Sequence, residues 1–376
     1  MSESVNIVVV KHGELRERAC PSGLIDPHAI LDPEPAHRAA LLSNPLCTSD
    51  DDPVQVLAVA GQTIAGRIDV IPGIIRLAQP DGTRADIRVL WGSSWFVPPE
   101  FRNTMAALMI IMKWQALWPA AAVVGISQMA LPIYEKLKWV NVPMSRSVLI
   151  CKSRPVVERY IGAGALGAVA RIGADVGLFA HGIALKMWRR GPRSRLKVVP
   201  LQLAPQAWDE PLARISDSPT AGVARSTAWT NWLLSNTFGG NSIARTGLFA
   251  VRDGDGRDLA CFIVKDRLYE TATARQFRNL HLGTLIDWAI FDELRISELD
   301  VVALAAGELR RRGVDAIEVC STNEALGASL RRVGFVGAGQ LAFMFRSPPK
   351  GPLGRDDLKT ASAWRVRPSD GDNFFA

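Results

Sequence analysis

Cysteine is scarce in this chain of 376 residues. The five present, Cys20, Cys47, Cys151, Cys261 and Cys320, are far apart, odd in number and form no CxxC pair. That spacing argues against a disulfide framework or a zinc site and for a reducing cytoplasm. His12, His28, His37, His181 and His281 show no ligand spacing either, so no metal is expected. Charge is modest: 22% of residues are charged and the net charge is +7. Such an excess suits an anionic small molecule or an anionic membrane surface as well as nucleic acid. The aromatic-basic interleaving of RNA-recognition modules is missing, which removes nucleic acid as the expected partner. Long apolar runs are also missing. The longest region, Ile161 to Trp188, is interrupted by Arg171, Asp175, His181 and Lys186 and makes a poor transmembrane helix. The start, MSESVNIVVVKHGE, has no basic segment before its short apolar run and does not read as a signal peptide.

What is present is a globular α/β pattern, 48% hydrophobic and long enough for two sizeable cores. Residues 5–10 read as a strand and 33–45 as a short helix. VQVLAVAG (54–61) and TIAGRIDV (63–70) read as a hairpin turning at Gly61-Gln62. A strand over 86–97 ends at Pro98-Pro99, a helix covers 101–118, a buried strand covers 121–127, and a helix covers 132–137 before β material to residue 150. The second half repeats the order. A strand over 197–203 and helices over 205–216 and 225–235 precede a hairpin, GLFAVRD–GDG–LACFIVKD. A strand over 280–291 follows, then a helix over 297–313 with Ser297 as N-cap and Gly313 past its end. A strand over 314–321 and a helix over 323–335 close the pattern. One element order used twice suggests a tandem duplication. The expected division is domain 1 over 1–153, a helical basic linker over 154–196, domain 2 over 197–348 and a tail over 349–376. The linker has a helical apolar stripe and ends in KMWRRGPRSRLK, which fits either an interdomain helix or peripheral contact with an anionic membrane through 161–197.

Two short stretches carry the functional expectation. The first is WFVPPEFRNTMAALM (95–109), a strand end, a turn and a helix start. The second is GISQMALPIYEKLKW (125–139). Together, in this order and spacing, they resemble the GNAT family of acyl-CoA-dependent acetyltransferases, over most of residues 1–150. The pattern V-x-P-x-[YF]-R-x-x-G-x-[GA] is met by Val97, Pro99, Phe101, Arg102 and Ala107, and the later [ANS]-x-x-x-Y-x-K-x-G-[FW] by Ala130, Tyr134, Lys136 and Trp139. The resemblance implies two tandem acyl-CoA N-acyltransferase domains with mixed sheets and helices on both faces. It implies acetyl-CoA or another acyl-CoA as co-substrate, held by Phe96, Val97, Arg102, Asn103, Met105, Ala106, Ala107 and Ser127. Tyr134 would be the acid that protonates the leaving thiolate. The partner would be a small-molecule acyl acceptor, an amine or hydroxyl. The alternative is a catalytically degenerate pair acting as a ligand-binding or scaffold protein.

The departures are specific. Asn103 and Met105 stand where the family loop usually has Gly, and Lys138 replaces the Gly before the aromatic. In the second half Leu330 occupies the tyrosine position and no Arg-x-x-Gly-x-Gly precedes the helix over 297–313, so no CoA is expected there. RSTAWTNWLL (225–234) and the closing WRVRPSDGDNFF resemble signatures of tandem GNAT-like proteins from bacterial polysaccharide gene neighbourhoods, with Thr230 where Leu is usual. That resemblance implies a sugar acceptor. Trp91 and Trp95 are expected on one strand face, as core packing or as a sugar platform. Asp86 and Glu100 are candidate bases, and Asp370 and Asp372 read as a solvated tail.

Overall fold

The structure is a computed structural model that describes residues 4–31, 35–160, 172–173, 175, 177, 195–215, 220–235, 244–270, 279–348 and 351–370. The elements run β1 (Val5–Lys11), α1 (His12–Glu17), α2 (Pro35–Leu42), β2 (Pro53–Ala60), β3 (Thr63–Ala78), β4 (Arg84–Phe96), α3 (Ala106–Trp114), β5 (Ala120–Val124), α4 (Leu131–Lys136), β6 (Val140–Ile150) and α5 (Ser153–Tyr160). They continue with β7 (Lys197–Leu201), α6 (Asp209–Ile215), β8 (Ala221–Val223), α7 (Thr227–Ser235), β9 (Ala244–Arg252), β10 (Asp258–Tyr269) and β11 (Leu280–Ile290). The last are α8 (Glu298–Arg311), β12 (Ala316–Ser321), α9 (Glu324–Arg332), β13 (Val336–Arg346) and β14 (Trp364–Arg365).

The expected α/β class and the repeated order are both present: β2-β3-β4-α3-β5-α4-β6 matches β9-β10-β11-α8-β12-α9-β13. A small detail marks the two repeats as copies. Helix α4 ends with Lys138 at φ +59 and a bond from Trp139 N to Tyr134 O. Helix α9 ends with Gly334 at φ +88 and the corresponding bond from Phe335 N to Leu330 O. Lysine thus adopts a left-handed conformation that its counterpart reaches with glycine.

The compact units are not the contiguous blocks expected from sequence. Unit 1 comprises 1–144, 205–240 and 341–376, and unit 2 comprises 145–204 and 241–340. The physical reason is an exchange of closing strands. In unit 1, β5 pairs antiparallel with the C-terminal half of β13, Phe343–Arg346. In unit 2, β12 pairs antiparallel with the C-terminal half of β6, Ser145–Ile150. Each repeat therefore supplies the strand that completes the other repeat's sheet. Helices α6 and α7, expected in domain 2, belong to unit 1, where Trp232 Nε1 donates to Ala40 O at 2.9 Å.

Unit 1 is a mixed sheet in the order β1-β2-β3-β4-β5-β13, with β8 on the far end of β3. Helix α3 covers one face through Ile110, Ile111 and Trp114 against Val56, Ile68, Val70 and Leu90. The other face carries a ring stack of Trp91, Phe343, Phe345 and Trp364. Unit 2 runs β6-β12-β11-β10-β9-β7, with Val301, Ala305 and Leu309 of α8 on Phe262, Leu285 and Val319. Among the described residues no helix is long and apolar enough to cross a membrane. The basic linker helix and its membrane contact lie almost wholly outside the described residues.

Candidate functional site: a forked sheet in unit 1

Strands β4 and β5 run parallel and pair only over Val89–Trp91 and Ala120–Ala122. Beyond that point β4 continues to Phe96 and β5 to Val124 without pairing to each other, and a fork opens between them. A bulge aims the β4 prong. Arg67 lies opposite Phe96, and Asp69 lies opposite Ser93, so two steps on β3 match three on β4. Ser94 absorbs the extra residue at φ +50. A left-handed serine costs about 1–2 kcal/mol, and bulges that carry such strain re-aim strands at functional sites. Gly66 lets the prong lie close. A Cβ there would meet Val97 Cγ2 at 2.9 Å and Phe96 O at 3.2 Å.

The bulge also corrects the reading of the tryptophans. A Cβ on Gly92 would meet Trp114 of α3, so Gly92 faces α3, and Trp91 faces away onto Phe343. Trp95 packs edge-on against Tyr134, itself against Trp114, so it has returned to the α3 face. The two do not share a face and form no common platform. Tyr134 is 2% exposed, inside a cage of Trp95, Trp114 and Trp139 with ring centroids 5.0–6.4 Å away.

Helix α3 begins later than expected. A 3-10 turn over Pro99–Phe101 follows the two prolines, and the helix proper starts at Ala106. It has no side-chain N-cap from Met105. Thr104 Oγ1 accepts from Ala106 N at 3.2 Å, but the N–H groups of Asn103, Met105, Ala107 and Leu108 donate to nothing among the described residues. Unspent donors and the positive dipole end make this a place for an anion. Neither Asn103 nor Met105 has positive φ, so the loop does not need the conformational freedom of the missing glycines. Met105 is 55% exposed. Arg102 is exposed and its Nε donates to Val97 O at 3.2 Å. Ser127 is exposed at the start of α4, where it accepts from Ala130 N. The structure thus gathers Phe96, Val97, Arg102, Asn103, Met105, Ala106 and Ala107 on the β4–α3 junction, with Tyr134 caged on its α3 side.

The remaining candidates are held by partners. Asp86 forms a two-bond ion pair with Arg76, and Glu100 pairs with His28. Asp370 is not solvated: it is buried and paired with Arg225 at 2.5 Å. The two signatures resembling polysaccharide-associated proteins therefore meet as one buried ion pair, while Asp372 lies outside the described residues.

The sequence reading missed a polar cluster on the sheet face away from α3. Gln55, Arg67 and Asp69 are at most 4% exposed. Gln55 Nε2 donates to Asp69 Oδ1 at 3.0 Å, and Arg67 Nη1 donates to Leu31 O at 2.8 Å. The signal was available: two opposite charges two residues apart in an apolar strand, IAGRIDVI, share a face.

Unit 2 has the same fork with a different filling. Strands β11 and β12 pair only over Leu282–Leu285 and Ala316–Val319, and β11 bulges where Asp287 and Leu285 face Ile263 and Val264. Here the helix start is closed. Ser297 caps α8, with Asp300 Oδ2 accepting from Ser297 N at 3.0 Å and Ser297 Oγ accepting from Asp300 N at 3.2 Å. Glu298 accepts from Trp288 Nε1 and Asn323 Nδ2, both at 2.7 Å. A capping box thus takes the N–H groups of Ser297 and Asp300, and the carboxylates of Glu298 and Asp300 stand at this helix start.

No protein-family model and no curated protein matches the sequence. Solved structures do. A GCN5-related N-acetyltransferase from Anabaena variabilis matches with TM-score 0.52 and 12% identity, over 92% of this chain and 73% of that one. Saccharomyces cerevisiae N-myristoyltransferase with bound myristoyl-CoA matches with TM-score 0.53 and 12% identity, over 95% and 87%. A probable N-acyltransferase from Enterococcus faecalis matches with TM-score 0.51 and 11% identity, over 92% and 72%. The chain has the fold of the GCN5-related N-acetyltransferases, in a tandem arrangement. At these identities the likeness carries the fold and nothing about a sugar or polysaccharide.

Proposed function

We propose that the protein is an acyl-CoA-dependent acyltransferase whose working site is the fork of unit 1. The observation that carries this reading is the open start of α3. Four unspent N–H donors, at Asn103, Met105, Ala107 and Leu108, lie beside a splayed and bulged β4, whereas the matching helix start in unit 2 carries a capping box between Ser297 and Asp300. An acyl-CoA supplies an activated thioester carbon. Its pyrophosphate would take the four N–H groups and Arg102, which must then leave Val97 O. Freed from Arg102, the Val97 carbonyl can pair with the pantetheine arm alongside Phe96.

The acceptor's amine or hydroxyl attacks the thioester carbon and gives up its proton. A carbon–nitrogen or carbon–oxygen bond forms and the carbon–sulfur bond breaks; the thiolate takes a proton from Tyr134, and the phenolate so formed takes the proton the acceptor gives up. Ring packing by Trp95, Trp114 and Trp139 excludes water around that phenol. The second repeat completes the sheet of unit 1 through the end of β13, and unit 2 binds no second CoA. A sugar acceptor rests on the resemblance of the 225–234 and tail segments alone.

Titration calorimetry with acetyl-CoA and with CoA tests the reading. Micromolar binding, weakened about tenfold or more by Arg102→Ala through loss of a charge-assisted contact, is expected. Absence of binding by both ligands would remove the acyl-transfer reading in favour of a non-catalytic pair.

A further inference from the structure

The cluster behind the fork holds more polarity than its own bonds consume. Gln55 is 1% exposed and Arg67 4%, yet Oε1 of Gln55 and Nε of Arg67 have no hydrogen-bond partner among the described residues. One is an acceptor and the other a donor. Buried polar atoms are nearly always paired, and exceptions gathered in one cluster ask for a cause. The pair is also well placed. Arg67 Nη1 and Gln55 Nε2 both reach the Leu31 carbonyl, at 2.8 and 3.4 Å, so the two side chains lie together. Arg67 stands directly opposite Phe96, the last residue of the β4 prong. Gly66 faces Ile110 of α3, as Trp95 faces Tyr134 on that side, so Arg67 points to the opposite face. The unmet polar atoms therefore belong to the other side, from which an acceptor would approach.

Resting on the acyl-transfer reading, we propose that Arg67 and Gln55 anchor the acceptor through a neutral group that accepts one hydrogen bond and donates one. A hydroxyl or a carboxamide meets both atoms. A carboxylate only accepts and an ammonium only donates, so either leaves one of the two unmet. The anchor would sit beside the nucleophile, making the acceptor a hydroxylated or amide-bearing amine or alcohol. The Leu31 carbonyl covers the pair in the free protein. It is presented by a turn in which the Asp26 carboxylate accepts from Ile30 N and Leu31 N at 2.8 and 2.7 Å and Ala29 adopts φ +48. A strained turn of this kind is a natural element to shift when an acceptor enters.

The test uses acetyl-CoA with two probe pairs, glucosamine against cyclohexylamine and glycinamide against ethylamine. Wild type is expected to prefer the hydroxylated or amide member of at least one pair by about tenfold or more in kcat/KM, the usual scale for a buried partner left unmet. Arg67→Lys keeps a cation beside Asp69 but removes Nε, and Gln55→Met removes Oε1. Each should abolish the preference while acetyl-CoA affinity is retained. If one variant fails to fold by thermal unfolding, the other still decides. Retained preference in a folded variant overturns the proposal and leaves a buried water only as the occupant of these atoms. So does a wild type that binds acetyl-CoA but shows no preference, including no turnover of any probe. A wild type that does not bind acetyl-CoA sinks the acyl-transfer reading instead. The anchor is then judged by whether glucosamine raises the wild-type melting temperature and Arg67→Lys removes that rise.

Discussion

Met105→Asp should make the free protein more stable and the acyl-CoA complex weaker. Met105 sits at the N-cap of α3 with φ −77 and ψ −2 and contributes no cap bond. An aspartate there can accept from the unspent N–H groups of Ala107 or Leu108. A good N-cap contributes about 0.5–2 kcal/mol. The backbone here is right-handed and not extended, so the lower half of that range applies, with about 0.3–1 kcal/mol added by the helix dipole. A gain of about 1 kcal/mol raises the melting temperature by about 2–4 °C for a unit of this size. The same carboxylate occupies the pyrophosphate's donors and repels its charge. Two unit charges about 4 Å apart interact by about 1 kcal/mol in water and about 4 kcal/mol near a protein surface. Acetyl-CoA affinity should therefore fall at least about tenfold. Thermal unfolding with and without acetyl-CoA, beside calorimetric titration, reads both changes. A stabilised variant that binds acetyl-CoA as tightly as wild type would show that the pyrophosphate lies elsewhere. A variant that is neither stabilised nor weakened would show that these N–H groups are not open.

Three further outcomes are expected. Arg225→Met strands the buried carboxylate of Asp370 and should cost about 3–5 kcal/mol, with most of the loss recovered in Arg225→Met/Asp370→Leu, a cycle read by chemical unfolding. Lys138→Gly relieves a left-handed lysine at φ +59 and should stabilise by about 0.5–1 kcal/mol after the added backbone entropy of glycine; a fall in melting temperature would contradict the strain. Tyr134→Phe keeps the ring cage and should lower turnover about 10²–10⁴-fold with acetyl-CoA affinity intact, whereas unchanged turnover would take the phenol out of the mechanism.

The hairpins, the repeated order and the helix caps were legible because each is written locally. Gly61 has φ +60 at the turn between β2 and β3, and Ser297 caps α8 as its spacing with Asp300 implies. Three features were not legible, for three physical reasons. Alternation along β4 placed Trp91 and Trp95 together, but a single bulged residue inverts the count, and a serine at φ +50 carries no warning in its side chain. Sequence order assigned β6 and β13 to their own repeats, whereas strand pairing is a long-range choice that local pattern does not express. Asp370 read as solvated because it follows a polar tail, and only its distant partner Arg225 makes it a core residue.

The two forks differ at the helix start that follows each. Both strands splay, both carry a bulge, and both are followed by a helix. A helix start with nothing to accept its first N–H groups is a standing cost in the free protein. Unit 2 removes that cost with Ser297 and Asp300 and ties Glu298 to Trp288 and Asn323 across the fork. An incoming pyrophosphate would face both carboxylates, and their charge opposes it. Unit 1 leaves the cost in place at Asn103, Met105, Ala107 and Leu108, although one polar side chain at position 105 would remove the part at Ala107 or Leu108. The same holds on the other face, where Arg67 and Gln55 keep atoms that an apolar core would have discarded. Unmet polar groups on both sides of one fork, and a capped helix start at the other, are what is expected if the first is completed by ligands and the second by the chain itself.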